Sequence, residues 1–208
     1  MYALVESGTI TKYFSYPKGF ILGDLQYPKD IFMKWSVAEK KAIGIIEVTF
    51  DDGNKKDETY YINTNQTFTY DADAGTVTAA YGNATPKAHA DTLFTAQDET
   101  DGLGTEGELA TRGLKYNFIK TIKAQAAGIL QNTDWYILRK ADADTDVPSA
   151  ITTFRAAVRT KAAAMETLIT NASNTAAVET LYTYVNTADE GDPVVMARPL
   201  GVFPELGS

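Results

Sequence analysis

The chain contains no cysteine and only one histidine, His89. The first absence removes disulfides, thiol nucleophiles and zinc–thiolate sites together. The second means that a transition-metal site would be built mostly of carboxylates, a ligand set uncommon for zinc. No cofactor is expected. Long apolar runs are missing too: no uninterrupted stretch approaches the roughly 20 residues needed to span a bilayer as a helix. The first residues, Met1-Tyr2-Ala3-Leu4-Val5-Glu6, form too short an apolar run, and meet an acid too early, for a signal peptide. The expectation is a soluble protein made in a cytoplasm. Basic residues are in deficit, 19 Lys and Arg against 27 Asp and Glu, for a formal charge of −8. Lys40-Lys41 and Lys55-Lys56 are isolated pairs in acidic company. Such a surface repels nucleic-acid phosphates and anionic lipid headgroups, which argues against nucleic-acid and membrane partners.

What is present is ordinary for a folded protein: 208 residues, 44% hydrophobic and 22% charged, enough for one domain or two small ones. The expected class is α+β, a small antiparallel β-rich N-terminal half followed by a helical hairpin or small helical bundle and an extended Pro-rich tail. Residues 1–83 form the β-rich module. Ile45–Phe50 reads as a strand ended by the turn Asp51-Asp52-Gly53-Asn54. Thr59–Asn63, Gln66–Tyr70 and Thr76–Ala79 continue it as an antiparallel meander with aromatic cross-strand pairs. Ser36 and Glu39 have capping-box spacing, so a short helix is predicted over about 37–43, ended by Gly44.

Residues 84–104 read as an acidic, glycine-containing linker. From Thr105 to residue 190 the texture is helical, and Thr105 and Glu108 again have capping-box spacing. Leu114, Phe118, Ile122, Ala126 and Ile129 form one apolar stripe. After Pro148, Ile151, Phe154, Val158, Met165 and Leu168 form another, with Lys161 at one seam position. Val178, Leu181, Tyr182 and Val185 make a shorter one. Thr133 is positioned to stop one helix and cap the next, which would bury Trp135 and Leu138, three residues apart, against a neighbouring helix. Residues 191–208 hold Pro193, Pro199 and Pro204 and read as an extended arm whose apolar residues pack on the body or on another subunit.

Candidate chemistry is sparse. Gly102-Leu103-Gly104-Thr105-Glu106-Gly107 matches a dinucleotide fingerprint in letters, but acids rather than a hydrophobic strand precede it, and Glu106 would face the pyrophosphate. A flexible hinge is the plainer reading. Asp71-Ala72-Asp73-Ala74-Gly75 resembles the start of a calcium loop, but the twelfth position is Gly82 rather than a bidentate Glu, so a hairpin turn is expected. His89 has no nucleophile or acid partner evident in sequence. A glycosidase would need two carboxylates facing one cleft, which spacing alone does not show. Tyr60, Tyr61, Phe68, Tyr70 and Tyr81 suit either core packing or a sugar-stacking face. Arg155 and Arg159 share a helical face and suit pairing with acids of another helix.

Two stretches resemble a module of tailed-bacteriophage proteins, found in tail-fibre assembly proteins and small virion-associated tail proteins. The C-terminal match rests on Leu130, Thr133-Asp134-Trp135, Arg139, Pro148, Arg155 and Arg159. A more diffuse N-terminal match rests on Tyr27-Pro28, Trp35, Glu39-Lys40, Gly44-Ile45 and Val48. The resemblance implies a non-enzymatic virion structural protein of the tail or tail-fibre system, a fibre, adaptor or decoration subunit. It would be synthesised in the host cytoplasm and carried in the tail or on the particle surface. An assembly chaperone for a tail fibre is the alternative, and a particle-surface carbohydrate-binding module a second. Expected partners are other tail or fibre proteins and further copies of the chain. The residues expected at the partner interface are Trp135, Arg139, Arg155 and Arg159 on the helices, with Leu200, Phe203 and Leu206 in the arm.

Overall fold

A computed structural model describes residues 1–207, and the chain divides into two compact units, 1–85 and 86–208. The first is built on a five-stranded sheet. Its strands are β1 (Tyr2–Glu6), β2 (Thr9–Phe14), β5 (Ile45–Asp51), β7 (Thr67–Asp71) and β8 (Thr76–Ala80). They lie in the order β2-β1-β5-β8-β7. A second hairpin, β3 (Phe20–Leu22) with β4 (Leu25–Tyr27), precedes two short helices, α1 (Ile31–Lys34) and α2 (Val37–Ala42).

The β1–β2 hairpin turns on Ser7 and Gly8, both at positive φ; such paired left-handed residues match the twist of the strands they join. The expected antiparallel meander is corrected here. β5 and β8 run parallel, with Val48 beside Val77, and β1 and β2, not foreseen, complete the sheet. Of the strand expected over Thr59–Asn63, only β6 (Tyr61–Ile62) forms.

Alternation along the strands separates two cores. Ala3, Ile46, Val48, Val77 and Ala79 fill one. Leu4, Phe14 and Ile45 meet Phe20, Ile31 and Phe32 in the other. The sheet curls until Tyr13 of β2 and Phe68 of β7, on its opposite edges, bring their ring centroids to 4.6 Å. The capping box of α2 is present: Ser36 accepts from the Glu39 amide, and Glu39 accepts from the Ser36 amide. Gly44 ends this turn at φ +76, and a Cβ there would lie 2.2 Å from the Val5 carbonyl oxygen. Tyr27, Trp35 and Lys40 pack into the first unit. Tyr27 meets Trp35 edge-on at 6.0 Å, and Lys40 is buried over the Tyr2 ring at 5.0 Å.

β9 (Thr85–Pro86) falls where the units divide. The second unit then opens with a structured segment where a linker was expected. β10 (Thr92–Leu93) pairs with β11 (Leu109–Thr111), and α3 (Ala96–Thr100) lies between them. The true capping box here is Thr95 with Asp98, not Thr105 with Glu108. Glu108 instead gives its carbonyl to the Phe94 amide in the hairpin, so helix begins only at Leu114. α4 (Leu114–Gln131) packs on α6 (Ser149–Asn171), with α7 (Thr175–Tyr182) against both.

The stripes meet as anticipated at Ile122, Ala126, Val158 and Met165. Two positions are corrected. Ile169 takes the buried place expected for Leu168, which is exposed. Val185 leaves the helix for β12 (Val185–Asn186), paired with β13 (Met196–Ala197). From the arm, Leu200 is fully buried in the helical core and Phe203 packs beside it. Val194, Val195, Met196, Val202 and Leu206 remain exposed.

Candidate interface on the helical unit

Helix α5 (Asp134–Ala143) contains no buried residue. Its half-buried positions are Tyr136 and Arg139, one turn apart, whereas Trp135, Ile137 and Leu138 are 49%, 44% and 69% exposed. The helix thus leaves three large apolar side chains exposed, among the charged Asp134, Lys140 and Asp142. This corrects the expectation that Trp135 and Leu138 bury against a neighbouring helix. They do share a face, as residues three apart must, but the side that meets the body is centred on Tyr136 and Arg139. Arg139 explains part of this arrangement: its guanidinium stacks over the Trp135 ring at 4.7 Å and the Tyr136 ring at 5.7 Å. A planar, weakly hydrated cation covers aromatic faces well.

A polar clamp holds the start of α5. Arg155, reaching from α6, is 8% exposed in its side chain. Its Nη1 donates to the Leu130 carbonyl at 2.8 Å and to Thr133 Oγ1 at 2.7 Å, and meets Asp134 Oδ1 at 2.8 Å. Thr133 in turn donates its hydroxyl to the Leu130 carbonyl at 2.9 Å. Thr133 does occupy the N-cap position, but its hydroxyl makes no capping bond. The reason is competition: a hydroxyl has one proton and two lone pairs, and here they serve the preceding turn and Arg155. The other end of α5 stops at Asp144, at φ +50, where Lys140 pairs with both Asp144 and Asp146.

Beside this clamp lies a groove of about 410 Å³ between α4, α6 and the C-terminal arm, lined by Ile129, Thr133, Phe154, Phe203 and Leu206. An adjoining open groove of about 520 Å³ shares Phe203 and Pro204 and adds Ala157, Lys161 and Val202. Of the residues expected at an interface, Leu206 lines the first groove and Trp135 is exposed on α5. Phe203 forms a groove wall, and Arg139 backs the outward helix. Arg155 is a buried clamp and Leu200 a core residue, so neither is accessible to a partner. Arg159 is exposed and makes no ion pair among the described residues. Ile137 and Leu138 as outward residues, and the groove itself, were missed; the apolar stripe of α5 carried no sign of which side met the body.

The remaining candidates resolve into structure. Asp71 Oδ1 accepts from the amides of Asp73 and Ala74 and closes the β7–β8 turn. Gly102 ends α3 at φ +73, and Gly104 is pressed against the Phe94 ring, where a Cβ would lie 2.3 Å away. The expected hinge is therefore a packed turn. It leads into β11 rather than the helix a dinucleotide site requires. His89 sits in a bend, and its backbone carbonyl accepts from the Lys115 amide at 3.0 Å at the start of α4. Among the described residues no three His, Asp or Glu side chains are grouped to hold a metal ion, and no helix is long and apolar enough to cross a membrane. Tyr60 and Tyr61 are buried, and Phe68 and Tyr70 pack against the core, so these aromatics form no open stacking platform. Comparison with protein families, with curated proteins and with solved structures finds no match to this chain.

Proposed function

We propose that the chain is a non-enzymatic structural protein of a bacteriophage tail or tail-fibre system, a fibre, adaptor or decoration subunit that works by binding other proteins. The observation that carries this reading is the exposure of Trp135, Ile137 and Leu138 on α5. Leaving Trp135, Ile137 and Leu138 in water has a free-energy cost. A short helix is held in that orientation by Arg155, Thr133 and Asp134, residues on which the resemblance to phage tail proteins rests. Surfaces of this kind mark protein–protein contacts. The adjoining open grooves suit the second reading, a chaperone that holds a fibre tip until assembly.

Mass spectrometry of gradient-purified particles from a phage encoding this chain separates the two. Peptides at a fixed ratio to known tail proteins are expected for a structural subunit. Abundance in the infected-cell lysate with absence from particles would favour the chaperone. Absence from both sinks the proposal.

A further inference from the structure

We infer that the C-terminal arm is an exchangeable plug: the site it fills on the helical unit takes the same segment from a second copy, with residues 185–197 as the hinge. What covers the site is visible, since this chain's own arm sits in it. Leu200 is fully buried among Ile122, Val158, Met165 and Ile169, and Phe203 packs beside it. The plug also carries its own shape. Gly201, at φ +72, donates its amide to the Arg198 carbonyl at 2.8 Å, and Arg198 Nε donates back to the Gly201 carbonyl at 3.0 Å. The Leu200 amide ties this turn to α7 through the Leu181 carbonyl at 3.0 Å, and the Arg198 guanidinium covers the Tyr182 ring at 5.5 Å. A segment shaped by local bonds and seated by these few side chains makes the same contacts in either copy, which is why exchange of an identical element is a low-cost route to a dimer.

The hinge stands apart from the body. Residues 183–196 are exposed, with Ala188 alone half-buried. The hydrogen bonds of the hairpin close on the hairpin itself. Val185 pairs with Ala197 and Asn186 with Met196, the Thr187 amide and hydroxyl both donate to the Val195 carbonyl, and Asn186 Oδ1 accepts from the amides of Ala188 and Val195. A lone two-stranded hairpin is marginally stable in water. This one also leaves Val185, Val194, Val195 and Met196 exposed, at a cost in free energy. Opening it disturbs no core residue. Gly191, at φ +94, stands midway between the paired residues. An opened hinge therefore keeps its register, now against the hinge of the other copy across a two-fold axis at Gly191. The ladder can lengthen there, and 183–197, extended over on the order of 50 Å, carry each plug to the other body. Close to the axis Glu190 falls opposite Asp192 of the second copy, a like-charge pair that opposes exchange. The closed monomer therefore prevails in dilute solution.

Sedimentation of the full chain is expected to show a monomer when dilute and a dimer on concentration. That dimer should outlast dilution, because Leu200 must leave a core to reverse it. Gly191→Val strains only the closed turn, where φ is positive, and should strengthen the dimer by about tenfold or more. Ser149 and Leu206 line one groove of about 400 Å³, and the chain has no cysteine of its own. A concentrated mixture of Ser149→Cys and Leu206→Cys chains should thus give a covalent mixed dimer under a short bis-maleimide. Leu138→Asp, on α5 and outside the exchanged parts, should leave the dimer unchanged. Monomers at every concentration for both the parent and Gly191→Val would overturn the exchange. So would a Gly191→Val dimer no tighter than the parent's, no mixed cross-link, or a dimer lost with Leu138→Asp. The exchange needs no role for α5, so it stands or falls apart from the tail reading.

Discussion

At the residue scale, backbone conformation sets the sharpest demands. Gly44 combines φ +76 with a carbonyl where its Cβ would stand. It also gives its own carbonyl to the Val5 amide at 2.8 Å, so the β1 strand is seated on this turn. Gly44→Ala should cost about 3 kcal/mol, the left-handed penalty plus a backbone clash that no rotamer relieves. Ser7 is the opposite case. It holds φ +50 in an exposed hairpin turn with nothing requiring its side chain there, so Ser7→Gly should stabilise by roughly 0.5–1 kcal/mol. Chemical denaturation of the two variants checks both signs. Residue-level spacing was legible where only local atoms compete, as at Ser36 with Glu39. It failed at Thr133, whose hydroxyl is claimed by Arg155 from 22 positions away; no local pattern carries that information.

At the scale of elements, α5 and the arm are held by contrasting means. α5 relies on the Arg155 clamp, since it buries nothing of its own. Arg155→Met would keep most of the packing volume and remove the charge-assisted bonds. Asp134 is half exposed and can be solvated once abandoned, so the cost should be about 2 kcal/mol rather than that of a fully buried orphan charge. The readout specific to the clamp is local: amide exchange of α5 should accelerate more than that of α4 or α7. The arm relies on burial. Leu200 is fully buried among Ile122, Met165 and Ile169, and Leu200→Ala should cost about 3 kcal/mol and lower the melting temperature, read by thermal unfolding. The stripes of α4 and α6 were legible because a long helix repeats its pattern several times. The short ladders were not, because two residues such as Tyr61–Ile62 or Thr92–Leu93 offer no period to read. The side of α5 that faces the body was equally hidden, since an amphipathic stripe says which residues share a face and not which face is buried.

At the scale of the whole molecule, acid should act through a small set of carboxylates. The α+β class and the change from β-rich to helical texture were readable from composition. The mixed sheet was not, because parallel pairing of β5 and β8 depends on long-range register. Register and caps nevertheless define where acidity matters. Asp91 accepts from the Gly113 amide at the start of α4 and pairs with Arg112, and these hold its carboxyl below the ordinary range. Glu39 and Asp98 are lowered by their capping bonds to Ser36 and Thr95. A carboxylate whose folded pKa is depressed contributes stability that is fully present above its unfolded pKa and is lost as pH falls through the folded one. The net charge of −8 works the other way near neutrality, because lowering pH relieves self-repulsion as exposed acids begin to protonate. Stability should therefore stay level or rise slightly from pH 7 to about 5, then fall below about pH 4 as the caps protonate. Asp91→Asn and Asp98→Asn together should flatten that acid limb, since an amide keeps part of each capping geometry without titrating. Thermal melts of the parent and the double variant between pH 3 and 7 test it: parallel acid limbs would show that these caps are not where the pH dependence originates.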